Sequence, residues 1–147
     1  MKKRVFVTAT LFLLSIVVAS QVAQADEPML VNIPFAFVVG NLTLPAGEYR
    51  VETLDRNSAV VLIRCSGAGP SAMVLSNAAQ AKDKPTQSKL IFMRYNNRYF
   101  LSQVWNAGST SGRQLQKSQA EKEIAQSARF ETKGEVTLVA RLAPTNP

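Results

Sequence analysis

The sequence predicts a mainly β domain: a small antiparallel β-sandwich or flattened barrel of about seven strands, with one C-terminal helix before the last strand. Three observations predict this class. Apolar residues alternate with polar ones at a period of two in several short segments, which is typical of half-buried strands. Turn-forming residues separate these segments. One segment near the C-terminus has helical spacing behind a capping sequence.

The first part of the domain predicts two strands joined by a turn. Over residues 31–39, apolar side chains at every second position indicate a half-buried strand. Pro34 cannot donate a backbone hydrogen bond, so this strand lies at a sheet edge or is broken there. Residues 44–47, Leu-Pro-Ala-Gly, have the pattern of a type I turn. The second strand follows over residues 48–53.

The middle of the chain predicts a buried strand and its partner. Residues 59–65 are nearly all apolar and β-branched, which is typical of a central strand covered on both faces. Val61 and Ile63 of this strand, together with Phe37 of the first strand, are expected core residues. Residues 71–76 predict the fourth strand.

Residues 89–95 and 98–105 predict a hairpin around Asn96-Asn97, since asparagine tolerates the positive φ of a two-residue turn. In that register Met93 faces Phe100, and Phe92 faces Leu101. Such apolar cross-strand pairs stabilise a sheet. Polar loops are expected on both sides of the hairpin, over residues 81–88 and 106–112.

The C-terminal part predicts the helix and the seventh strand. Ser118 and Glu121 have the spacing of a capping box, so a helix is expected from there to about Arg129. Residues 136–141 alternate again and predict the last strand. Residues 143–147 are expected to fray.

The first 25 residues have the features of a secretory signal peptide. Residues 2–4 are basic, residues 5–19 are an apolar run, and the A-x-A pattern at 23–25 precedes an acidic pair. We expect cleavage between Ala25 and Asp26, which leaves residues 26–147 as a single domain. The apolar run is shorter than the roughly 20 residues of a spanning helix, so no membrane span is expected after removal. The alternative is an uncleaved anchor.

Composition excludes the commonest catalytic machinery. The chain has no histidine and one cysteine, Cys65. Ser-His and Cys-His nucleophile pairs, histidine zinc sites and thiolate metal sites are therefore ruled out. We expect no enzyme activity, no cofactor and no metal. Cys65 is expected to be a buried free thiol, the alternative being a disulfide between two chains.

Charge indicates which partners are compatible with the chain. Removing the predicted signal peptide, which contains three basic residues, lowers the formal charge from +7 to +4. This value suits solubility and weak attraction to anionic envelope polymers. The basic residues form no run and no nucleic-acid motif is present, so nucleic acid is not an expected partner.

The candidate site residues are Arg94, Tyr99, Trp105 and Arg113. Arginines and aromatic side chains near loops are common in surfaces that bind sugars, peptides or proteins. In the alternative interpretation, which we favour, Trp105 closes one end of the sandwich and the arginines lie over it.

Two segments carry resemblances to known proteins. LPAGEYRV, residues 44–51, resembles the G-x-Y-x-V strand starts of transthyretin-like and Cna-B-like sandwich modules, which are mostly adhesion, wall or accessory modules. IPFAFVVGNLTLPAGEYRV and RYFLSQVWNAGSTSGRQLQKSQAEKE, with the hairpin KLIFMRYNNRYF, resemble a group of small exported bacterial proteins of unassigned function. That resemblance implies an exported β domain with a C-terminal helix and implies no activity.

These observations predict an exported, non-enzymatic binding or structural module of the periplasm, the envelope or the medium. Its partner would be an envelope polymer, a glycan or another exported protein. The alternative is a carrier that holds a small apolar ligand inside a barrel or sandwich.

Overall fold

The computed structural model describes residues 27–54, 57–127 and 133–144, which form eleven strands and one short helix. The predicted cleavage site between Ala25 and Asp26 lies outside the described residues, as does the expected helix end at Arg129. The elements in chain order are β1 Met29–Ile33, β2 Phe37–Val39, β3 Leu42–Leu44, β4 Gly47–Thr53, β5 Val60–Cys65, β6 Ser71–Gln80, β7 Lys89–Tyr95, β8 Arg98–Trp105, β9 Ser111–Leu115, α1 Gln119–Ser127, β10 Lys133–Val139 and β11 Arg141–Leu142.

The fold is mainly β, as predicted, and its sheet is mixed and open. The strand order is β10-β7-β8-β9-β6-β5-β4-β1-β11, with the β2–β3 hairpin attached to β8. Two parts of the prediction are wrong. The described residues contain eleven strands instead of about seven, and β2 runs parallel to β8, so the sheet is not purely antiparallel. The predicted first and last strands are each split in two, and β3 and β9 are strands that the sequence did not predict.

Pro34 explains the first split. It follows β1 directly and lacks the N–H that a ladder requires. The chain changes partner across it: β1 pairs with β4, whereas β2 pairs with β3 and β8. Gly40 then closes the β2–β3 turn with a φ of 58°. Two short strands thus replace the single strand expected over residues 31–39.

Strand β6 connects the two halves of the sheet. Its first half pairs with β5 and its second half with β9, so it continues to Gln80, four residues beyond the expected end at Ser76. Ser76 lies at the changeover and is buried. Its backbone N–H and its hydroxyl both donate to the carbonyl oxygen of Ala59, at 2.6 and 2.9 Å.

The final strand is split at Ala140. β10 pairs with β7 at one end of the strand order, and β11 pairs with β1 at the other end. The Ala140 N–H donates to the Ser88 carbonyl at 2.8 Å, outside either ladder. Ala143 is buried and its N–H donates to the Pro28 carbonyl at 2.9 Å, so the expected fraying from residue 143 is wrong at that residue.

The core lies between the two halves of the sheet and contains the residues that the alternation predicted. Phe37, Val61 and Ile63 are all fully buried, as expected. Strand β5 is central, between β4 and β6, and its middle residues are buried on both faces. Cys65, at the end of β5, is a free thiol that packs against the core, but it is only half-buried and not buried as predicted.

Tyr49 explains the G-x-Y pattern. Its ring is buried in the core, and its hydroxyl donates to the Pro45 carbonyl at 2.7 Å. This bond fixes the entry to β4, in the manner of the tyrosine corner of some β-sandwiches. Burial raises the pKa of the Tyr49 hydroxyl, and the nearby Cys65 adds to the increase.

The predicted hairpin is confirmed in its turn and its register. Asn96 adopts a φ of 55°, as a two-residue turn requires. Met93 pairs with Phe100 and Phe92 with Leu101. The helix also begins as expected, because the Ser118 hydroxyl accepts the N–H of Glu121 at 3.2 Å.

Candidate functional site

The loops on either side of the β7–β8 hairpin are joined at one end of the sheet. The Gly108 N–H donates to the Pro85 carbonyl at 2.8 Å, and the Ala107 N–H donates to the Ser88 hydroxyl at 3.0 Å. Ser88 is buried, and its carbonyl accepts from Ala140. One residue therefore links the loop before the hairpin, the loop after it and the final strand.

An open groove of about 620 Å³ lies beside these joined loops and is named here the loop groove. Two cationic side chains, Lys84 and Arg113, line it. The floor includes Val104 and Thr53, both buried. The remaining lining residues are mostly small or polar: Asn57, Ala78, Asn106, Gly108, Ser109, Thr110, Ser111 and Gly112. A groove of this size is within the range of small-ligand sites.

Arg113 belongs to the candidate set from the sequence, and the structure places it in the loop groove. It lies in β9, directly across from Ala78 of β6 on one side and Val104 of β8 on the other. The backbone that carries Arg113 is therefore held in the sheet between two neighbours. Lys84, in contrast, is exposed on the loop over residues 81–88.

Trp105 is buried, with 7% of its surface exposed. Its Nε1 donates to Gln103 Oε1 at 2.8 Å, and Gln103 Nε2 donates to Gln114 Oε1 at 2.9 Å. Because Val104 pairs with Arg113, and side chains alternate along a strand, Trp105 and Arg113 point to opposite faces of the sheet. The burial of Trp105 indicates a packing role. Arg113 lies on the opposite face of the sheet and therefore does not cover the indole, contrary to the interpretation in which the arginines lie over Trp105.

The other two candidate residues lie at the turn end of the β7–β8 hairpin, Arg94 in β7 and Tyr99 in β8. Arg94 and Tyr99 are direct cross-strand partners beside the hairpin turn. Tyr99 and Trp105 are six positions apart along an extended strand, a distance of roughly 20 Å. The structure thus brings Arg94 and Tyr99 together and places Trp105 and Arg113 on opposite faces of the sheet, so the four candidates do not form one cluster.

Arg94 and Tyr99 take part in packing at their end of the sheet. The Tyr99 ring is stacked on Phe35 with centroids 3.8 Å apart and an interplanar angle of 14°. The Nε of Arg94 is buried and has no hydrogen-bond partner among the described residues. Tyr99 therefore has a packing role, and neither Tyr99 nor Arg94 lines the loop groove with Arg113.

A buried polar pair lies beneath α1, where the sequence indicated only a helix cap. Glu121 is 4% exposed and accepts a hydrogen bond of 3.3 Å from the Tyr95 hydroxyl. Burial raises the pKa of the Glu121 carboxyl, an effect that Lys117, Tyr95 and Lys133 partly oppose. Burial also raises the pKa of Tyr95, and the neighbouring Glu121 adds to the increase.

Across residues 27–54, 57–127 and 133–144, no three His, Cys, Asp or Glu side chains are grouped so that they could hold a metal ion. Within that same part of the chain, no helix is long and apolar enough to cross a membrane.

Comparisons with protein-family models, with curated proteins and with solved structures find no match to this chain.

Proposed function

We propose that this protein is an exported, non-enzymatic binding module of the bacterial envelope, and that the loop groove is its binding site. The proposed ligand is polar and anionic: an envelope polymer or glycan that carries carboxylate or phosphate groups. The leader sequence supports export, and the absence of histidine supports a role other than acid–base catalysis.

The observation that carries the proposal is the pair of cations in one groove. Lys84 and Arg113 both line the loop groove, and its other lining residues offer hydroxyl, amide and backbone groups. An arginine side chain can donate two parallel hydrogen bonds to a carboxylate or phosphate, whereas a lysine supplies a mobile point charge. Hydroxyl and amide groups suit the neutral hydroxyls of a sugar.

The geometry of the fold supports binding at a rigid end of the sheet. We propose that the open sheet curves into a flattened barrel. The strands at its two ends, β10 and β11, are separated along the chain only by Ala140, so the two ends of the sheet must lie close together. The loop groove then lies at the mouth of that barrel. Strands β6, β8 and β9 hold its floor and Arg113 in place, so little ordering is needed when a ligand binds.

The alternative function, a carrier of an apolar ligand, has less support. The space between the two halves of the sheet contains aromatic rings in direct contact. Phe37 packs edge-on against Tyr49 at 5.1 Å and against Phe92 at 5.6 Å, and Phe35 packs edge-on against Phe92 at 5.3 Å. A carrier needs an enclosed apolar cavity where these rings lie.

Binding of matched oligosaccharides tests the proposal. An oligosaccharide of uronic acids and its carboxyl-reduced, neutral counterpart are titrated into the protein by calorimetry. The acidic form should bind more tightly, and raising the salt concentration should weaken its binding. Because a hydrogen bond to a charged group contributes about 1.5–3 kcal/mol, Lys84→Gln and Arg113→Gln should each weaken binding roughly tenfold or more.

Lys82→Gln is the matched control. Lys82 lies on the same loop and is exposed, but it does not line the loop groove. Lys82→Gln removes one positive charge, as Lys84→Gln does. A merely long-range electrostatic effect would therefore weaken binding equally in the two variants. Equal losses in the two variants, or equal affinity for the acidic and neutral oligosaccharides, would contradict the proposed site.

A further inference from the structure

The helix α1 is held on the sheet partly by a buried ionisable group. Glu121 is the one carboxylic acid among the buried side chains of the described residues. It lies in the first turn of α1 and reaches the Tyr95 hydroxyl on β7. A buried carboxyl group is stable when it is protonated and costly when it is charged.

The rest of the contact between helix and sheet is apolar. Ile124 and Ala125 of α1 pack against a small cluster made of Val38, Tyr95 and Phe100, here called the aromatic face. Tyr95 and Phe100 are themselves in edge-to-face contact, with ring centroids 5.7 Å apart. This cluster is separate from the main core, so it can lose its cover without disturbing the larger one.

The charged and titratable groups around Glu121 come from each element near it. Tyr95 faces it from β7, Lys117 from the segment before the helix, and Lys133 from β10. Strands β2 and β8 contribute the apolar side chains Val38 and Phe100, and the Arg98 guanidinium lies 5.3 Å from the Phe100 ring centroid. The lysines favour the charged carboxylate, but desolvation has the larger effect and the pKa of Glu121 is raised.

The helix has little stability of its own. Its described part is nine residues long, and isolated helices shorter than about 12–15 residues are marginal in water. Its position therefore depends on the buried contacts of Glu121, Ile124 and Ala125. A change in the free energy needed to bury Glu121 therefore shifts the equilibrium between the docked and the undocked helix.

We propose that α1 is a proton-dependent cover of the aromatic face: it is docked while Glu121 is protonated and loosens when Glu121 ionises. Release of the helix exposes Tyr95 and Phe100 to solvent or to a partner. A protein exported from the cell meets the pH of its surroundings, so the cover responds to a condition that the chain encounters.

The direction of the effect follows from linkage. In the undocked state the Glu121 carboxyl has its ordinary pKa, and in the docked state its pKa is raised. Docking therefore takes up a proton at pH values between the two. The stability of the docked state is greatest below the ordinary pKa and falls as the pH rises through the raised value. Each unit of increase corresponds to about a tenfold change in the docking equilibrium.

Hydrogen exchange of the full mature chain tests the proposal. Exchange of the α1 amides is followed by mass spectrometry between mildly acidic and mildly alkaline pH, with correction for the intrinsic exchange rates. In the natural protein, protection of α1 should fall with rising pH while protection of β5 stays constant. In Glu121→Gln, which is neutral at every pH, protection of α1 should be independent of pH.

Glu123→Gln is the matched control, because Glu123 is exposed on the same helix. It should keep the pH dependence of the natural protein. The same pH dependence in Glu121→Gln and Glu123→Gln would overturn the proposal. If Glu121→Gln fails to fold, titration of the Glu121 side-chain carboxyl by NMR in the natural protein decides the question. A midpoint at or below the ordinary glutamate value would overturn the proposal.

Discussion

Gly112 lies directly against the face of the Trp105 indole. The two residues are cross-strand partners in β9 and β8, and a Cβ atom built on Gly112 would approach Cδ2 and Cζ3 of the ring to 2.7 Å. Real Cβ atoms do not come this close, so the absence of a side chain at residue 112 lets the indole lie flat on the sheet. Trp105 and Gly112 thus form one packing unit beside the loop groove.

The first prediction concerns this contact. Gly112→Ala should destabilise the protein by about 1–3 kcal/mol, since overpacking forces the indole or the strand to move. Denaturant unfolding measures the change. Gly67→Ala is the control, because no atom lies within 4 Å of its Cβ position and its φ is not positive. Equal effects of the two substitutions would show that the close contact is not decisive.

Trp105→Ala should lower the free energy of unfolding more than Gly112→Ala does. Its ring is buried, so Trp105→Ala should lose about 3–5 kcal/mol of unfolding free energy. The chain has a single tryptophan, so emission reports this site alone, and it should be blue-shifted in the folded protein. Emission like that of free tryptophan, with unchanged stability in the variant, would contradict the buried placement.

Strand β5 provides a third prediction. Ile63 is fully buried in the central strand, and Ile63→Ala should lower the unfolding free energy by about 2–5 kcal/mol. Leu75 on the adjacent strand β6 is 59% exposed, so Leu75→Ala should change it by no more than about 0.5 kcal/mol. The denaturant midpoints of the two variants give the comparison.

Tyrosine ionisation should be delayed in the folded state. Burial raises the pKa of both Tyr49 and Tyr95. The native state therefore retains these protons at pH values where the unfolded chain has lost them. Stability should fall as the pH rises from the ordinary tyrosine pKa, about 10, through the raised values. Ultraviolet absorbance titration of the folded protein should show at least two tyrosines ionising above that value, and Tyr49→Phe should remove one of them.

The predicted signal peptide leads to a prediction about the N-terminus of the exported protein. Export in a bacterial host should release a protein that begins at Asp26. N-terminal sequencing of the exported material measures this. A chain that begins at Met1 and sediments with the membrane would support the uncleaved anchor instead.

Much of the β7–β8 region could be predicted from sequence, because local chemistry determines it. The Asn96-Asn97 turn sets the register, and the register then pairs Met93 with Phe100. The same register has a second consequence for the two loops that flank the hairpin. It places the loops at residues 81–88 and 106–110 side by side, where the loop groove forms.

Strands β3 and β9 could not be predicted, because neither has a strong pattern of its own. The sequence of β9, Ser-Gly-Arg-Gln-Leu, is mostly polar and contains glycine. It is extended because β6 and β8 each supply a neighbouring edge for it to pair with. Tertiary pairing of this kind overrides weak local preference. The position of Arg113 in the groove depends on that pairing, so the sequence identified the residue but not its surroundings.

The burial of Glu121 was also outside what the sequence indicated. A glutamate three residues after a serine at the start of a helix is expected to cap the backbone. The cap from Ser118 is present, but the Glu121 side chain bonds to Tyr95, a residue far away in the sequence. Only the docking of the helix on the sheet brings these two side chains together.

The split of the last strand at Ala140 has a consequence for the order in which the protein folds. Met29 pairs with Leu142, so the first and last strands of the described chain are neighbours. Pairings across such a long stretch of sequence are slow to form, because the chain must lose the entropy of a large loop before the contact stabilises it. We expect one edge of β1 to stay unpaired until β10 and β11 have been synthesised and β11 pairs with it. A nascent chain that ends before residue 133 would lack both β10 and β11, so it would expose the edges of β7 and β1, and these edges are where self-association would begin.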